Sequence, residues 1–454
     1  MSLIASDQLK IVIGLGVTGI SCVELLVAKG DNFIVLDTRE NPPKLAQFQK
    51  DYPQVKVILG DLDKELLASA SELIISPGIA KEDAAIAYAV AKGAKLVGDI
   101  DLFCREITAP VIAITGSNAK TTVTTLIGEM AVANGLDVGV GGNIGVPVLE
   151  FLKQPQKQLY VLELSSFQLE TTHELRADVA TVLNITPDHL DRYDNDFKQY
   201  YQAKHRIFKG CKSVVENLDD PLTHPLLPSQ VKVTGYRLGR SDFNIFGLLE
   251  VESDGQNSTH LALAGEPIMA ISEIKLPGKH NIANALAALA IGHNAGFEIA
   301  AMCSAIRDFS GLEHRCQLVA EKQGVQYFDD SKGTNVGATV AAIEGLGSAL
   351  QKSEKIILIA GGDGKGAAFD ELTAPVENYV KSVVLIGTDA QRIAQVLPNS
   401  ELFYAQSMQQ AVEKCASLSQ QGDVVLLSPA CASFDMFDSY GHRGDVFSEA
   451  ARNL

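Results

Sequence analysis

Short β-branched runs recur along the chain, and each gives way to glycine, aspartate or a Ser-Pro turn before a helical stretch. In the first hundred residues these runs are Ile11-Val12-Ile13, Ile34-Val35-Leu36, Val57-Ile58-Leu59 and Leu73-Ile74-Ile75. Strands this apolar, with helices between them, predict a parallel sheet covered on both faces. Sheets of that kind bind ligands beyond the carboxyl ends of their strands. The pattern restarts after Ala109-Pro110 with Val111-Ile112-Ala113-Ile114, and continues through Tyr160-Val161-Leu162 and residues 179–183. Between about 230 and 277 the segments shorten, and Asp254-Gly255 is a hairpin signal. An alanine-rich helix is predicted over 281–293, after Leu276-Pro277-Gly278. From about residue 312 a third βα unit follows, with strands predicted at 325–328, 356–360, 383–386 and 424–427. At about 150 residues per domain, 454 residues accommodate three domains.

Hydrophobic residues make up 46% and charged residues 20% of the chain, which excludes global disorder. The net charge of −17 repels a phosphate backbone, so nucleic acid is not expected as a partner. An anionic small substrate needs a locally basic or amide-lined pocket. No apolar stretch reaches the ~18–20 residues of a membrane span, and the opening MSLIASDQLK runs into a strand without a signal-peptide core. The seven cysteines (Cys22, Cys104, Cys211, Cys303, Cys316, Cys415, Cys431) are scattered and show no CxxC spacing. Reduced thiols in a cytoplasm account for them. A cytoplasmic protein acting away from membranes is expected.

Gly14-Leu15-Gly16-Val17-Thr18-Gly19 follows a strand, opens a helix, and has Asp37 at the end of the next strand. That is the dinucleotide fingerprint in its proper context. It fits NAD, another diphosphate ligand such as a UDP-sugar, or a bare tight turn. Thr115-Gly116-Ser117-Asn118-Ala119-Lys120-Thr121-Thr122 lies between a strand and a helical run. It reads as a phosphate loop, with backbone amides and Lys120 for phosphates and Thr121 or Thr122 for a metal. Its spacing departs from GxxxxGK[ST], so an ordinary strand-to-helix turn is the competing reading. Two phosphate loops in successive α/β units are harder to explain as turns.

Asn184-Ile185-Thr186-Pro187-Asp188-His189-Leu190-Asp191 follows a buried strand, and Glu163 ends another. Each residue alone reads more simply as a strand end or a helix start than as a metal ligand. Lys204, in Ala203-Lys204-His205-Arg206, reads alone as part of a solvated helix face. In the last unit Asp330-Ser331-Lys332-Gly333-Thr334-Asn335, Gly361-Gly362-Asp363-Gly364-Lys365 and Ser428-Pro429-Ala430-Cys431-Ala432-Ser433 all fall at strand carboxyl ends. Three such loops on one edge predict a crevice holding anions with Lys332 and Lys365. Cys431 has no sequence feature pairing it with a base, and reads as a packed thiol.

Taken together, TGSNAKTT, ELSSFQLE (163–170), DHLDRY (188–193), Lys204, PGKHNIANALAA (277–288), His314-Arg315, DDSKGTN (329–335), GGDGKG (361–366) and SPACASFDMF (428–437) resemble the ATP-dependent Mur ligase family, nearly end to end and in order. The amino-terminal GLGVTG, Asp37-Thr38-Arg39, Ser76-Pro77-Gly78 and Gly98-Asp99-Ile100 are similar to the branch that adds D-glutamate to UDP-N-acetylmuramoyl-L-alanine. The resemblance implies an α/β fold of three domains, each on a mainly parallel sheet. These would be a Rossmann-like UDP-substrate domain (1–98), a central P-loop-type ATPase domain (99–311) and a Rossmann-like amino-acid-binding domain (312–454).

It also implies roles. The turn at Gly14, Val17 and Thr18, with Asp37, Thr38, Arg39 and Gly78, would bind the UDP end. Asn143, Ser165, Ser166 and Gln168 would line the sugar and alanyl end. Gly116, Ser117, Asn118, Ala119, Lys120, Thr121, Thr122, Asn281, Asn284, Arg315, Asp330 and Lys332 would bind ATP. Thr121, Glu163, His189 and Lys204, the last as a carbamate, would hold magnesium (Mg2+). Thr334, Lys365, Ser433 and Tyr440 would bind D-glutamate, and Lys120, Glu163, His189, Lys204 and Arg315 would serve catalysis. Ala119 stands where the family usually has glycine. If that position needs φ > 0, alanine carries a strain of roughly 1 kcal/mol, and weaker ATP binding at most is expected.

The implied chemistry is cytoplasmic peptidoglycan-precursor synthesis through an acyl phosphate. The base that deprotonates the amine is not identified by the sequence, since metal ligation would disqualify His189. Domain closure is expected to assemble the site, and a monomer is expected. The competing enzyme is a nicotinamide-dependent dehydrogenase using residues 14–19, which leaves the second phosphate loop and the third crevice unexplained. A non-catalytic nucleotide-binding scaffold has no use for so many charged loops.

Overall fold

The computed structural model describes residues 8–454 except 229, 254–255, 277, 349 and 352. The chain divides into two compact units. One comprises the residues up to 184 together with 198–236 and 287–304, and the other comprises 185–197, 237–286 and 305–454.

The first unit opens with five parallel strands: β1 (Lys10–Ile13), β2 (Phe33–Asp37), β3 (Val57–Leu59), β4 (Glu72–Ile75) and β5 (Lys95–Val97), in the order β3-β2-β1-β4-β5. Ile11, Ile13, Leu36, Leu73 and Ile75 point into one buried cluster with Leu67 and Ile86. Strand order reverses between β1 and β4, so the turns after these two strands lie side by side where such sheets bind ligands. The Ser76 N–H donates to the Ile13 carbonyl at 3.0 Å, and its hydroxyl donates to the Gly14 carbonyl at 3.3 Å. A Cβ on Gly19 would lie 1.8 Å from the Gly14 carbonyl oxygen, so the turn closes only with glycine at that position.

The same unit carries β6 (Val111–Thr115), β7 (Val138–Gly142), β8 (Leu159–Glu163), β9 (Val179–Val182), β10 (Ser213–Asn217) and the start of β11 (Lys232–Arg240). These strands are parallel where they pair, in the order β11-β10-β9-β6-β8-β7. β6 and β8 are buried along their whole length.

In the second unit β12 (Ile245–Ser253), β13 (Gln256–Leu263) and β14 (Glu266–Ala270) pair antiparallel. The Asp254-Gly255 signal lies outside the described residues, but the strands flanking it pair from Ser253 opposite Gln256. The alanine-rich segment forms the helix Lys279–Asn294; Pro277, before it, is also outside the described residues. The last sheet contains β15 (Gln317–Lys322), β16 (Val325–Asp329), β17 (Ile356–Gly361), β18 (Val380–Ile386), β19 (Glu401–Tyr404) and β20 (Val424–Leu427). Its order is β15-β16-β20-β17-β18-β19, parallel except at β15-β16.

Three sheets, mainly parallel, match the α/β class expected from the sequence. All seven cysteines are free thiols. Among the described residues no helix is long and apolar enough to cross a membrane.

Candidate active site

The phosphate loop grows out of β6. Thr115, the last residue of that strand, donates its hydroxyl to the Leu164 carbonyl at 2.6 Å, tying the loop entrance to the segment after β8. The helix Lys120–Ala133 then begins at once, so its first-turn N–H groups and positive dipole end face the loop. Ala119 caps this helix in the left-handed region, at φ 64 and ψ −4. The strain foreseen for alanine at this position is therefore present. Lys120 folds back and donates its ammonium to the Ser117 carbonyl at 2.8 Å. Ser117 Oγ lies 2.8 Å from the Tyr200 hydroxyl, and Thr122 is buried behind the first turn.

Asn184 fastens the loop from the side. Its carbonyl accepts from Ser117 N–H at 2.9 Å, and its side chain both accepts from Asn118 N–H at 2.8 Å and donates to the Asn118 carbonyl at 3.1 Å. Lys204, in the helix Phe197–His205, is not on a solvated face. It is 2% exposed, its ammonium donates to the Gly116 carbonyl at 2.8 Å, and it stands 4.7 Å from the centre of the Tyr200 ring.

Glu163 ends β8, in register with Ile114 of β6, and is 1% exposed. One carboxylate oxygen accepts from Asn143 Nδ2 at 2.8 Å, while the other, Oε2, is buried without a hydrogen-bond partner. A half-satisfied buried carboxylate is costly unless a cation completes it. The donor set fits magnesium, which takes one or two carboxylates and fills its remaining positions with water and phosphate oxygens. Among the described residues no three His, Cys, Asp or Glu side chains cluster as a self-sufficient metal cage. His189 belongs to the second unit, in the left-handed region at φ 52, with its N–H donating to Asp188 Oδ1 at 3.0 Å.

At the first glycine turn Val17 and Thr18 begin the helix Val17–Lys29, and Val17 is exposed. Asp37 is buried, and its carboxylate accepts four hydrogen bonds: from Leu15 N–H (2.7 Å), Arg39 N–H (2.9 Å), Arg39 Nε (2.8 Å) and Arg39 Nη2 (2.7 Å). The Arg39 guanidinium holds this carboxyl down at about 2. Four donors fill a carboxylate, so no acceptor remains for the ribose hydroxyl of a nicotinamide dinucleotide. The exposed groups here are Thr38 and Arg39.

Ser165 and Gln168 form a reciprocal capping box at the start of the helix Ser166–Glu170, each taking the other's backbone N–H at 3.1 Å. Ser166 is buried. Gln168 also donates to Asp99 at 3.5 Å, whose carboxyl burial pushes up to about 6.

The second unit contains a cavity of about 180 Å³ lined by Asp188, His189, Thr334, Asn335, Lys365 and Glu371, among others. Lys365 Nζ is 3.9 Å from Asp188 Oδ1, and Asn335 donates to Asp188 Oδ2 at 3.3 Å. Thr334 and Lys365 thus share a cavity, while Ser433 and Tyr440 do not line it. Ser433 is buried, and its carbonyl accepts from the N–H groups of Met436 and Phe437. Tyr440 carries the Lys332 ammonium 3.9 Å from its ring centre. Asp330 accepts from the Ser428 hydroxyl at 2.7 Å and from Cys316 N–H at 3.2 Å, and burial raises its carboxyl to about 7 against the pull of Arg315. Asn281 and Asn284 sit one turn apart, 3.3 Å between Asn284 Nδ2 and Asn281 Oδ1.

Sequence reasoning missed Arg443. It is 1% exposed and donates to the Ser331 hydroxyl and carbonyl and to the carbonyls of Cys431 and Ala432, at 2.8–3.2 Å. It therefore binds the loops after β16 and β20 together. Nothing in one sequence separates such an arginine from a solvated one on the same helix.

Comparison with known proteins finds three family models along the chain. Residues 8–98 match the Mur ligase MurD-like N-terminal domain, 114–292 the Mur ligase middle domain, and 314–431 the Mur ligase glutamate ligase domain. The UDP-N-acetylmuramoylalanine--D-glutamate ligase of Pseudomonas syringae pv. tomato is 54% identical over 455 residues, covering 100% of both chains. The protein of the same name from Pseudomonas aeruginosa is 53% identical over the same span. Among solved structures, the MurF ligase of Thermotoga maritima in complex with ADP superposes with a TM-score of 0.62 at 15% identity, over 99% of this chain and 95% of that one. The UDP-N-acetylmuramate-alanine ligase MurC of Thermotoga maritima gives 0.59 at 17%, over 98% and 99%; at these identities the two structures speak for the fold alone. With identity above one half along its whole length, and three family segments in order, the chain belongs to the Mur ligase family.

Proposed function

We propose that the chain joins D-glutamate to UDP-N-acetylmuramoyl-L-alanine, coupled to ATP cleavage, in cytoplasmic peptidoglycan-precursor synthesis. The observation that carries the chemistry is the amide-lined loop at residues 116–122 on the strand next to a buried, half-satisfied Glu163. The two substrates follow from the names of the full-length relatives. On this reading the chain works as a monomer with three domains: 1–98 for the UDP-substrate, 99–311 for ATP and 312–454 for the amino acid.

A carboxylate is a poor electrophile. The alanyl carboxylate therefore attacks the γ-phosphate, forming an acyl phosphate and releasing ADP. The amine of D-glutamate then attacks the activated carbonyl, and phosphate leaves the tetrahedral intermediate as the amide forms. Lys120 and the helix N–H groups offset the negative charge of the phosphates. Arg315, Asp330 and Lys332 act over the nucleotide, the two cations adding positive charge there. Gly116, Ser117, Asn118, Ala119 and Thr122 shape the phosphate site, and Asn281 and Asn284 face the base. Thr121, Glu163, His189 and a carbamylated Lys204 would hold magnesium, which supplies Lewis-acid neutralisation of the phosphoryl oxygens. Carbon dioxide adding to the Lys204 amine, once the ammonium has lost its proton, would give a carbamate and release a second proton; the carbamate's two hard oxygens are the ligand type magnesium prefers.

Gly14, Val17, Thr18, Thr38, Arg39 and Gly78 meet the UDP end, with Asp37 holding Arg39 in place. Asn143, Ser165 and Gln168 meet the sugar and alanyl end. Thr334, Lys365, Ser433 and Tyr440 bind D-glutamate on this reading, Thr334 and Lys365 from the cavity they line.

The test is phosphate release from ATP with UDP-N-acetylmuramoyl-L-alanine and a panel of amino acids. Release that depends on D-glutamate is expected. Release indifferent to the amino acid, or a change in nicotinamide absorbance on turnover, would refute the reading.

A further inference from the structure

Asn184 holds three consecutive peptide groups of the phosphate loop: its carbonyl takes Ser117 N–H, its Oδ1 takes Asn118 N–H, and its Nδ2 donates to the Asn118 carbonyl. The last contact has the largest consequence. The Asn118 carbonyl belongs to the peptide plane leading into Ala119, so fixing it fixes the orientation on which φ of Ala119 depends. In a trans peptide the N–H points opposite to the C=O. A carbonyl turned onto Asn184 therefore turns the Ala119 N–H to the other side, away from the Asn184 side chain.

Ala119 resists this arrangement, because its φ of 64 lies where a side-chain-bearing residue is strained. Rotation of the single 118–119 peptide would relieve the strain and reorient that N–H. The loop runs close to the same segment, where a Cβ on Gly116 would lie 3.1 Å from Leu183 Cβ and 3.3 Å from Asn184 N.

We propose that Asn184 is the positioning residue of the phosphate loop, keeping the 118–119 peptide turned for a polyphosphate against the left-handed strain at Ala119. The inference rests on reading residues 116–122 as the ATP loop. It adds a residue that acts through the loop and touches no substrate.

The test is a calorimetric cycle on the full chain, titrating MgADP into wild type, Asn184→Ala, Ala119→Gly and the double variant, with UDP-N-acetylmuramoyl-L-alanine titrated as a control. Asn184→Ala should weaken MgADP about tenfold or more and leave the control affinity unchanged. In the Ala119→Gly background the same substitution should cost about fivefold less, because glycine adopts the left-handed region unaided. Amide exchange at residues 117–118 should quicken in Asn184→Ala without nucleotide. Equal losses in both backgrounds, no loss at all, or parallel loss of the control ligand would overturn the proposal. A wild type that binds no MgADP would remove the nucleotide reading, and unchanged amide exchange in Asn184→Ala would then overturn the clamp by itself. If Asn184→Ala does not fold, Asn184→Thr is held to the same outcomes.

Discussion

Replacing Arg443 by methionine should destabilise the last sheet selectively. The guanidinium is buried, and its partners are three backbone carbonyls and one hydroxyl rather than a carboxylate. Burial lowers its pKa to about 10, so it stays protonated at neutral pH. Methionine fills most of the volume and leaves the carbonyls of Ser331, Cys431 and Ala432 without these donors. A buried acceptor that loses its donor costs about 1–3 kcal/mol. The variant no longer desolvates a guanidinium, which offsets part of that sum. A net loss of about 3–5 kcal/mol follows, large against a typical total of about 5–15 kcal/mol. Arg443→Lys should lose about half as much, because an ammonium cannot span both loops as a planar fork does. Hydrogen exchange by mass spectrometry, on peptides covering β16 and β20, measures the local opening free energy. The D-glutamate KM should rise in both variants, since the freed loops carry Thr334 and Ser433. A change below about 1 kcal/mol for methionine would show that desolvation cancels the bonds, and would refute the reasoning.

Lys365→Ala should raise the D-glutamate requirement about ten- to a hundredfold, the loss of one charge-assisted contact, and the ATP requirement far less; equal rises in steady-state KM would count against the assignment. Lys204→Ala should abolish turnover, and Lys204→Arg should do no better, since arginine cannot form a carbamate; full activity of either in a phosphate-release assay would sink that role. Burial holds the Asp330 carboxyl at about 7 in the folded chain, against about 3.9 unfolded. The folded state therefore binds the extra proton between those values, and this contribution is fully present below about pH 4 and lost as pH rises through 7. Asp330→Asn should flatten that fall in thermal-midpoint measurements across pH 4–8, and an unchanged slope would contradict it.

The strands that feed the sites were legible because each is buried on both faces and reads as an unbroken apolar run. β1, β6, β8, β17 and β20 are of this kind. Of the strands that escaped prediction, β5, β7, β15 and β19 lie at sheet edges, while β10 lies inside its sheet. β15 and β19 are largely exposed and mix polar with apolar residues, as in Glu401-Leu402-Phe403-Tyr404. β5 has only three residues and opens on an exposed lysine. An edge strand is completed by its neighbour rather than by its own hydrophobicity, so composition gives little warning of it.

At the sites, residue type was legible where chemistry demanded it, and partnership was not. Lys120 is read from the phosphate-loop pattern, Lys332 and Lys365 from loops at strand ends, and Thr334 only from the family resemblance. Asp37 shows the limit. Its place at the end of β2 fits a ribose acceptor, and only geometry shows four donors from Leu15 and Arg39 filling the carboxylate. The exposed Arg39 side chain is the partner that occupies this carboxylate. Asn184 and Ala119 make the complementary case. Ala119 signals strain by its residue type at a turn, but Asn184 signals nothing alone, because its role has meaning only through its hydrogen bonds to the loop. The two are 65 positions apart in sequence and meet across one peptide plane. Pairwise dependence of that kind is invisible in a single chain read along its length, and it is where the geometry of the phosphate loop is decided.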